Sequence, residues 1–459
     1  MKTQINHSTV LMGIVLSALL LVSCHKEFLD AKPDKSILIP GTLNDFQAIL
    51  DNTAVMNISP ELGLIASDDL YITTDGLSSL NTQTEKNSYI WAANVYEGEN
   101  VQDWNTPYQQ VFYSNVVLDG LKGSAGAGTT AFNNVKGSAL FFRGLAFYNL
   151  SQVFVAPYDS VKAVSLPGIP IRTTSEVNTK SVRGTLKETY DQLISDISSS
   201  IALLPVNVSF KSRPNKAAAY ALLARVYLSM EKYGKAGLYA DSSLQLNSKL
   251  NNYSNYSATD YRPFPLVLPN ANDEVDFDMS PLPYSFDESP FTFVDTVLYK
   301  SYDNADYRKT LFFTDQGNGG YNFQGSYAGN YILFSGLATD EMYLIRAEAE
   351  ARSGNISAAM NDINTLLVTR HVSGQFQPYS ALTSTEALSI VLAERRKELV
   401  TRTLRWSDLR RLNKDPRFAT VLTRNINDQT YTLQPGDNKY VFPIPDEETR
   451  GSGIPQNPR

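Results

Sequence analysis

Apolar positions along this chain recur mainly at helical spacing. Trp104, Tyr108, Val111, Phe112, Asn115 and Leu118 step along one helical face and predict a first long helix. After the small-residue punctuation of 123–130, a second helix carries Leu140, Phe141, Leu145, Phe147, Tyr148 and Phe154. Residues 185–204 predict a third, stopped by Pro205. Asn215 can cap a fourth, whose face is Ala217, Tyr220, Ala221, Ala224, Tyr227 and Leu228. Residues 231–234 make the turn, and Ala236, Tyr239, Ala240 and Leu244 continue on the next helix. The layout recurs with Met342, Ile345, Ala349 and Ala351, a Gly354-Asn355 turn, then Ala358, Ala359, Ile363 and Leu366. Small residues at this spacing let paired helices approach closely.

Such small-plus-aromatic pairs resemble tetratricopeptide (TPR) units, and 141–154 with 185–204 can form another. The pairs are not in tandem, so no fixed-period solenoid is expected. A short helix is predicted over 41–51. Residues 52–100 lack a sustained period and read as loop, as does the proline-containing stretch 156–184. The largest irregular stretch is 250–335, rich in Asn, Asp, Pro, Tyr and Phe, with β-like runs at 291–299 and 331–334. A structureless segment of that length is usually functional. Helices at 384–401 and 405–412 follow, and 440–459 reads as extended. The fold class is therefore mainly α: a TPR-like scaffold of helical pairs with long irregular loops and a few short strands.

The N-terminus adds a processing signal. Lys2 precedes an apolar run over 10–22, too short to span a bilayer, which ends in Leu21-Val22-Ser23-Cys24. This resembles a bacterial lipobox, with Cys24 the lipidated residue. The organisation expected is a signal peptide at 1–23, a tether at 24–40, an N-terminal helical part at 41–250 and a C-terminal part at 251–459 carrying the ligand-loop insert, the last two forming one compact unit. Cys24 is the only cysteine, so an intramolecular disulfide is excluded and stability must come from a large core.

The net charge of −7 argues against nucleic acid, which needs a basic footprint. With 26 Tyr, 21 Phe and only three His, the chain is equipped for half-wet aromatic surfaces, although most of these rings are expected to pack between helices. His371 is the only histidine past the tether, with no Ser or Cys motif around it, and reads as a helix-end residue. There is no Cys/His cluster for zinc, and Asp303, Asn304 and Asp306 lack the spacing of a calcium loop. No cofactor is expected. Carboxylate pairs at Asp68-Asp69, Asp273-Glu274 and Asp446-Glu447-Glu448 offer the only route to a glycosidase, and nothing marks one of them as an acid with a raised pKa. The reading is not that of an enzyme.

Glu394-Arg395-Arg396-Lys397-Glu398-Leu399, followed by Arg405-Trp406-Ser407-Asp408-Leu409-Arg410-Arg411, resembles the E-R-R-x-E-L … R-W-x-D-L-x-R signature of the SusD/RagB family. Arginine forks can pair with carboxylates across two helices there, with Trp406 packed between. Phe442-Pro443-Ile444-Pro445 with Gln456-Asn457-Pro458 is similar to the family's C-terminal pattern, and Asp306-Tyr307-Arg308, 344–349 and the Trp104, Tyr108, Asn115 spacing also fit. One departure is the link 400–404, where the family often has an acidic residue and Gly. Another is that the family pattern continues past Q-N-P with Gly and an aromatic.

The resemblance implies a surface-exposed lipoprotein of the outer membrane that binds an oligosaccharide and delivers it to a SusC-like, TonB-dependent barrel, as in polysaccharide utilization. In the RagB branch the ligand is a peptide. Aromatic ligand contacts carried over from the family fall on Tyr71, Trp91 and Tyr96 in the first region and Tyr302, Tyr321 and Tyr327 in the insert. A surface glycoside hydrolase and a TPR-like envelope adaptor are the readings from other classes.

Overall fold

The computed structural model describes residues 40–124, 126–268 and 272–459. The expected signal peptide, Cys24 and the tether as far as residue 39 lie outside the described residues. Residues 43–459 form one compact unit. No described helix is long and apolar enough to cross a membrane.

The scaffold is a succession of helices in which each packs on the next. Gln102–Gly120 lies on Thr130–Phe154, which lies on Leu186–Ile201; Lys216–Ser229 follows and packs on Tyr233–Leu244. Tyr233–Leu244 then packs directly on Thr339–Ser353, although the whole irregular insert separates them in sequence. Ile356–Leu367 and Ser384–Glu398 complete the stack.

Local chemistry explains the boundaries. The Asn215 side chain accepts from the Ala218 amide at 2.7 Å and opens the Lys216–Ser229 helix. Ala217, Ala221 and Ala224 bring the next helix close enough for the Ser243 hydroxyl to reach the Ala217 carbonyl at 3.0 Å. Tyr227 and Tyr239 stack alongside, with centroids 5.4 Å apart. The turn between them is shorter than the spacing suggested: Glu231 takes a positive φ of 59° and the second helix already starts at Tyr233. Gly354 stops Thr339–Ser353 with φ of 89°, the left-handed position that favours glycine.

Several irregular stretches hold more structure than their periodicity announces. Residues 52–100 contain four short helices, Thr53–Met56, Leu62–Ala66, Thr74–Ser79 and Gln83–Tyr89. They are too short to display a period, and caps set two of them: Thr73 caps one, and Thr82 forms a reciprocal capping box with Glu85 on another. Within 156–184 the strand Pro167–Pro170 pairs with Arg183–Thr185. Of the β-like run 291–299 only Thr292–Val294 is a strand, because Asp295 caps the one-turn helix Thr296–Lys300. Residues 331–334 form no strand.

The C-terminal stretch expected to be extended contains the helix Asp446–Ser452, begun after Pro445 with three acidic residues in its first turn and stopped by Gly453. The hairpin of Leu422–Ile426 and Gln429–Leu433 turns on Asn427 and Asp428, both at positive φ (50° and 60°), as a tight two-residue hairpin loop requires.

Apolar burial falls into three clusters. The largest underlies the N-terminal helices and a smaller one the last helices. Between them, insert residues such as Phe264, Phe312 and Tyr327 share a core with Leu64, Leu70 and Leu77 of the N-terminal region. That shared core fixes the irregular insert to the scaffold.

Candidate ligand cleft

Four short strands build the floor of the insert. Leu70–Ile72 pairs antiparallel with Thr292–Val294, and Phe313–Asp315 pairs antiparallel with Tyr321–Phe323. The Asn322 amide joins the two pairs by donating to the Thr292 carbonyl at 2.6 Å. Above them opens a cleft of about 980 Å³ lined by both apolar and polar side chains, a size suited to a small ligand. Tyr321 lines it, and the ring of Tyr299 stacks on Tyr321 at 3.5 Å between centroids and 16° between planes. Desolvation, then the neighbouring Tyr321 hydroxyl, pushes the Tyr299 phenol up to about 12, so that ring stays neutral at physiological pH. Tyr261 and Tyr331 stand at the rim, 79% and 64% exposed. Thr314, Gln316 and Gln324 add neutral hydrogen-bonding groups.

The six aromatic positions expected to meet ligand divide sharply. Trp91, Tyr96, Tyr302 and Tyr327 are each no more than 3% exposed, and each polar tip is engaged inside the fold. Trp91 donates to the Ala66 carbonyl at 3.0 Å, Tyr96 to Pro443 at 2.7 Å and Tyr302 to Lys397 at 2.7 Å. Tyr327 donates to Glu274 at 2.8 Å. Tyr71 is half-buried against Phe293 at 5.6 Å, on the strand beside the cleft. Only Tyr321 of the six lines the cleft. Tyr261, Tyr299 and Tyr331 were missed by sequence reasoning. Tyr299 and Tyr331 stand inside the β-like runs 291–299 and 331–334, which masked them as strand residues, and Tyr261 stands beside Asp260 and Pro263 in irregular sequence.

Behind the cleft wall sits an acid pair. Glu61 is fully buried and neither carboxyl oxygen has a donor partner among the described residues. Burial first, then Asp287 and Asp103, raise its pKa well above the carboxylate range, so it is held as the neutral acid. Burial likewise pushes Asp287, a cleft-wall residue, up to about 7.

Asp68, Asp69 and Glu274, among the carboxylates suspected of catalysis, are committed to arginines. Asp68 accepts both arms of the Arg405 fork (2.7 and 2.9 Å), and Asp69 accepts from Arg396 at 3.0 Å. Burial alone would raise Asp68, but Arg405 and Arg396 outweigh it and hold the carboxyl at about 2. Glu274 faces Arg370 at 3.0 Å. Asp446, Glu447 and Glu448 lie together in the first turn of one helix.

These pairs belong to a larger network centred on the Glu394–Leu399 and Arg405–Arg411 segments. Arg308, with no exposed surface, binds Asp306, Glu394 and Glu398 at 2.7 to 2.9 Å. Glu398 also binds Arg370 at 2.8 Å. Asp408 receives Arg395 across the two helices and Arg411 from its own, each at 2.8 Å. Trp406 packs between Tyr440 and Phe442, with Gly63 so close that a Cβ there would lie 3.0 Å from it. The network fastens the N-terminal Asp68-Asp69, the insert and the last helices to one another. His371 sits just past the end of Ile356–Leu367, its Nδ1 at 2.9 Å from the Leu367 carbonyl.

Residues 27–228 match the model of a SusD-like family described as starch-binding and associating with the outer membrane, and residues 337–459 match that of the SusD family. The chain belongs to the SusD/RagB family. No curated protein matches the sequence. Among solved structures, a SusD superfamily protein from Bacteroides thetaiotaomicron is 22% identical over 91% of this chain and 100% of its own, with a TM-score of 0.73. A SusD-like carbohydrate binding protein from Bacteroides vulgatus is 18% identical over 90% and 97%, with a TM-score of 0.67. A laminarin binding SusD-like protein is 17% identical over 91% and 98%, with a TM-score of 0.63. These likenesses are of fold. The insert that carries the cleft falls between the two matched SusD segments.

The departure from the SusD signature has a structural counterpart. In the 400–404 link, Thr401 and Thr403 both take positive φ (62° and 60°), a conformation that costs a β-branched residue dearly and suits glycine. Arg402 between them pairs with buried Asp340 at 3.2 Å.

Proposed function

We propose that this chain is a glycan-binding lipoprotein, anchored to the outer membrane through Cys24 and exposed at the cell surface, that captures an oligosaccharide and passes it to a SusC-like, TonB-dependent barrel. The observation that carries the reading is the stacked Tyr299–Tyr321 pair lining an open cleft in the insert. A sugar presents a C–H face that packs on an aromatic plane, and its hydroxyls seek neutral and acidic hydrogen-bonding groups around that plane. Tyr321 is the platform in this reading and Tyr299 its backing. Tyr261 and Tyr331 grip further residues at the rim. The family's description as starch-binding and its outer-membrane association support the same reading.

The test is affinity electrophoresis of the purified protein in gels containing soluble polysaccharides, beside the Tyr321→Ala variant. Retardation of the wild type by at least one glycan, lost in the variant, is the expected result. Binding of peptides with no glycan retained would replace this reading by the RagB-like one, and release of reducing sugar would replace it by a hydrolase. The transport step is tested separately, by detergent pull-down of the native protein: a TonB-dependent barrel should be recovered in near-equal amount.

A further inference from the structure

We infer that the cleft takes a neutral glycan and rejects chains bearing carboxylate or sulfate groups. The inference rests on the glycan-binding reading of the same cleft and narrows its ligand class.

Recognition of an anionic sugar needs a cation with an open hydrogen-bonding face, most often an arginine fork. The cleft is lined by two cations, and each is already engaged by neutral groups of the fold. The Arg262 guanidinium lies over the Tyr261 ring at 4.5 Å; its Nη1 donates to the Gln324 carbonyl at 3.3 Å and its Nη2 to the Tyr261 hydroxyl at 3.4 Å, while its Nε is buried without a hydrogen-bond partner among the described residues and so is closed to a ligand. Lys309 Nζ donates to Asn304 at 2.9 Å and sits 5.6 Å from the Tyr299 ring centre.

The acidic side is the opposite. Asp260, Glu288 and Asp315 line the cleft, and none of them forms an ion pair among the described residues. Among the described residues Asp315 accepts only the amide of Gly317, at 2.8 Å, which leaves lone pairs free. Free carboxylates accept hydrogen bonds from sugar hydroxyls and repel sugar carboxylates and sulfates. The net charge of −7 extends the repulsion to the approach of a polyanion.

The test compares matched probes in affinity electrophoresis at about 0.15 M salt, where only charges within roughly 8 Å act strongly. Laminarin, starch and galactan serve as neutral chains, polygalacturonate and chondroitin sulfate as anionic ones. The wild type should be retarded by a neutral chain and bind either polyanion at least about tenfold more weakly. The variant carrying Asp260→Lys, Glu288→Lys and Asp315→Lys, with unchanged circular dichroism, should gain binding to a polyanion. Wild-type binding to a polyanion as tight as to any neutral chain would overturn the inference and leave the glycan reading standing. So would a folded variant that still rejects both polyanions. Retention by neither class would overturn the glycan reading itself, and this inference with it.

Discussion

Tyr302 and Tyr321 belong to the same insert and are the same residue type, yet one is sealed in the core and the other faces a cleft. The difference is the polar tip. The Tyr302 hydroxyl finds the Lys397 carbonyl, whereas Tyr321 stacks on Tyr299 and lines the cleft. Replacing Tyr321 by Ala should therefore weaken glycan binding by about tenfold, roughly 1.4 kcal/mol, with little change in melting temperature; calorimetric titration checks this. Tyr302→Phe should do the reverse, leaving binding intact and costing about 1 kcal/mol of stability in denaturant unfolding. Residue type alone makes both rings candidates. Which of them is half wet depends on a carbonyl nearly a hundred positions away in sequence, and that lies beyond local reading. The same holds for Arg308: the Glu394/Arg395 signature was legible, its three-carboxylate grip on the insert was not. Arg308→Ala should cost about 3–5 kcal/mol, because it strands Asp306, Glu394 and Glu398 in the interior.

At the scale of elements, legibility followed length. The helices at Lys216–Ser229 and Thr339–Ser353 repeat their pattern over several turns and were readable with their caps. Gln83–Tyr89 and Asp446–Ser452 are about two turns each, and their ends are fixed by a Thr82–Glu85 box and a Pro-then-acid start, signals that give no periodicity. The link between the two signature helices carries its own prediction. Thr403 is half-buried with φ of 60°. Thr403→Gly should raise stability by about 1 kcal/mol, the relief of a left-handed β-branched residue less the added freedom of glycine when unfolded. Denaturant unfolding of the variant reads this directly, and an unchanged or lower midpoint would show that the link is unstrained.

For the whole molecule, the insert is held by a shared core and by buried charge, and these make stability depend on pH. Asp287, raised to about 7 by burial, is favoured as the neutral acid in the fold, while in the unfolded chain it ionises near 3.8. Its contribution is therefore fully present below about 4 and lost as pH rises through about 7. In Asp287→Asn that loss is absent, so the melting temperature of the variant relative to wild type should move in the variant's favour between pH 5 and pH 8. A constant difference across that range would mean that Asp287 titrates normally. The mainly helical, TPR-like plan was visible in the sequence because helix pairs are local. The cleft was visible only as a long irregular segment rich in tyrosine, since its walls come from Leu70, Thr292 and Tyr321, which meet only once the chain has folded.

In the proposed function, sugar rings rest on the Tyr299–Tyr321 pair. A crystal structure of the protein soaked with an oligosaccharide of a retained glycan tests it most directly. A sugar ring should lie within about 4 Å of the Tyr321 face, with its hydroxyls toward the acidic wall of the cleft. Sugar density elsewhere, for instance in the smaller groove beside Tyr108 and Phe112, with the tyrosine pair bare, would contradict it.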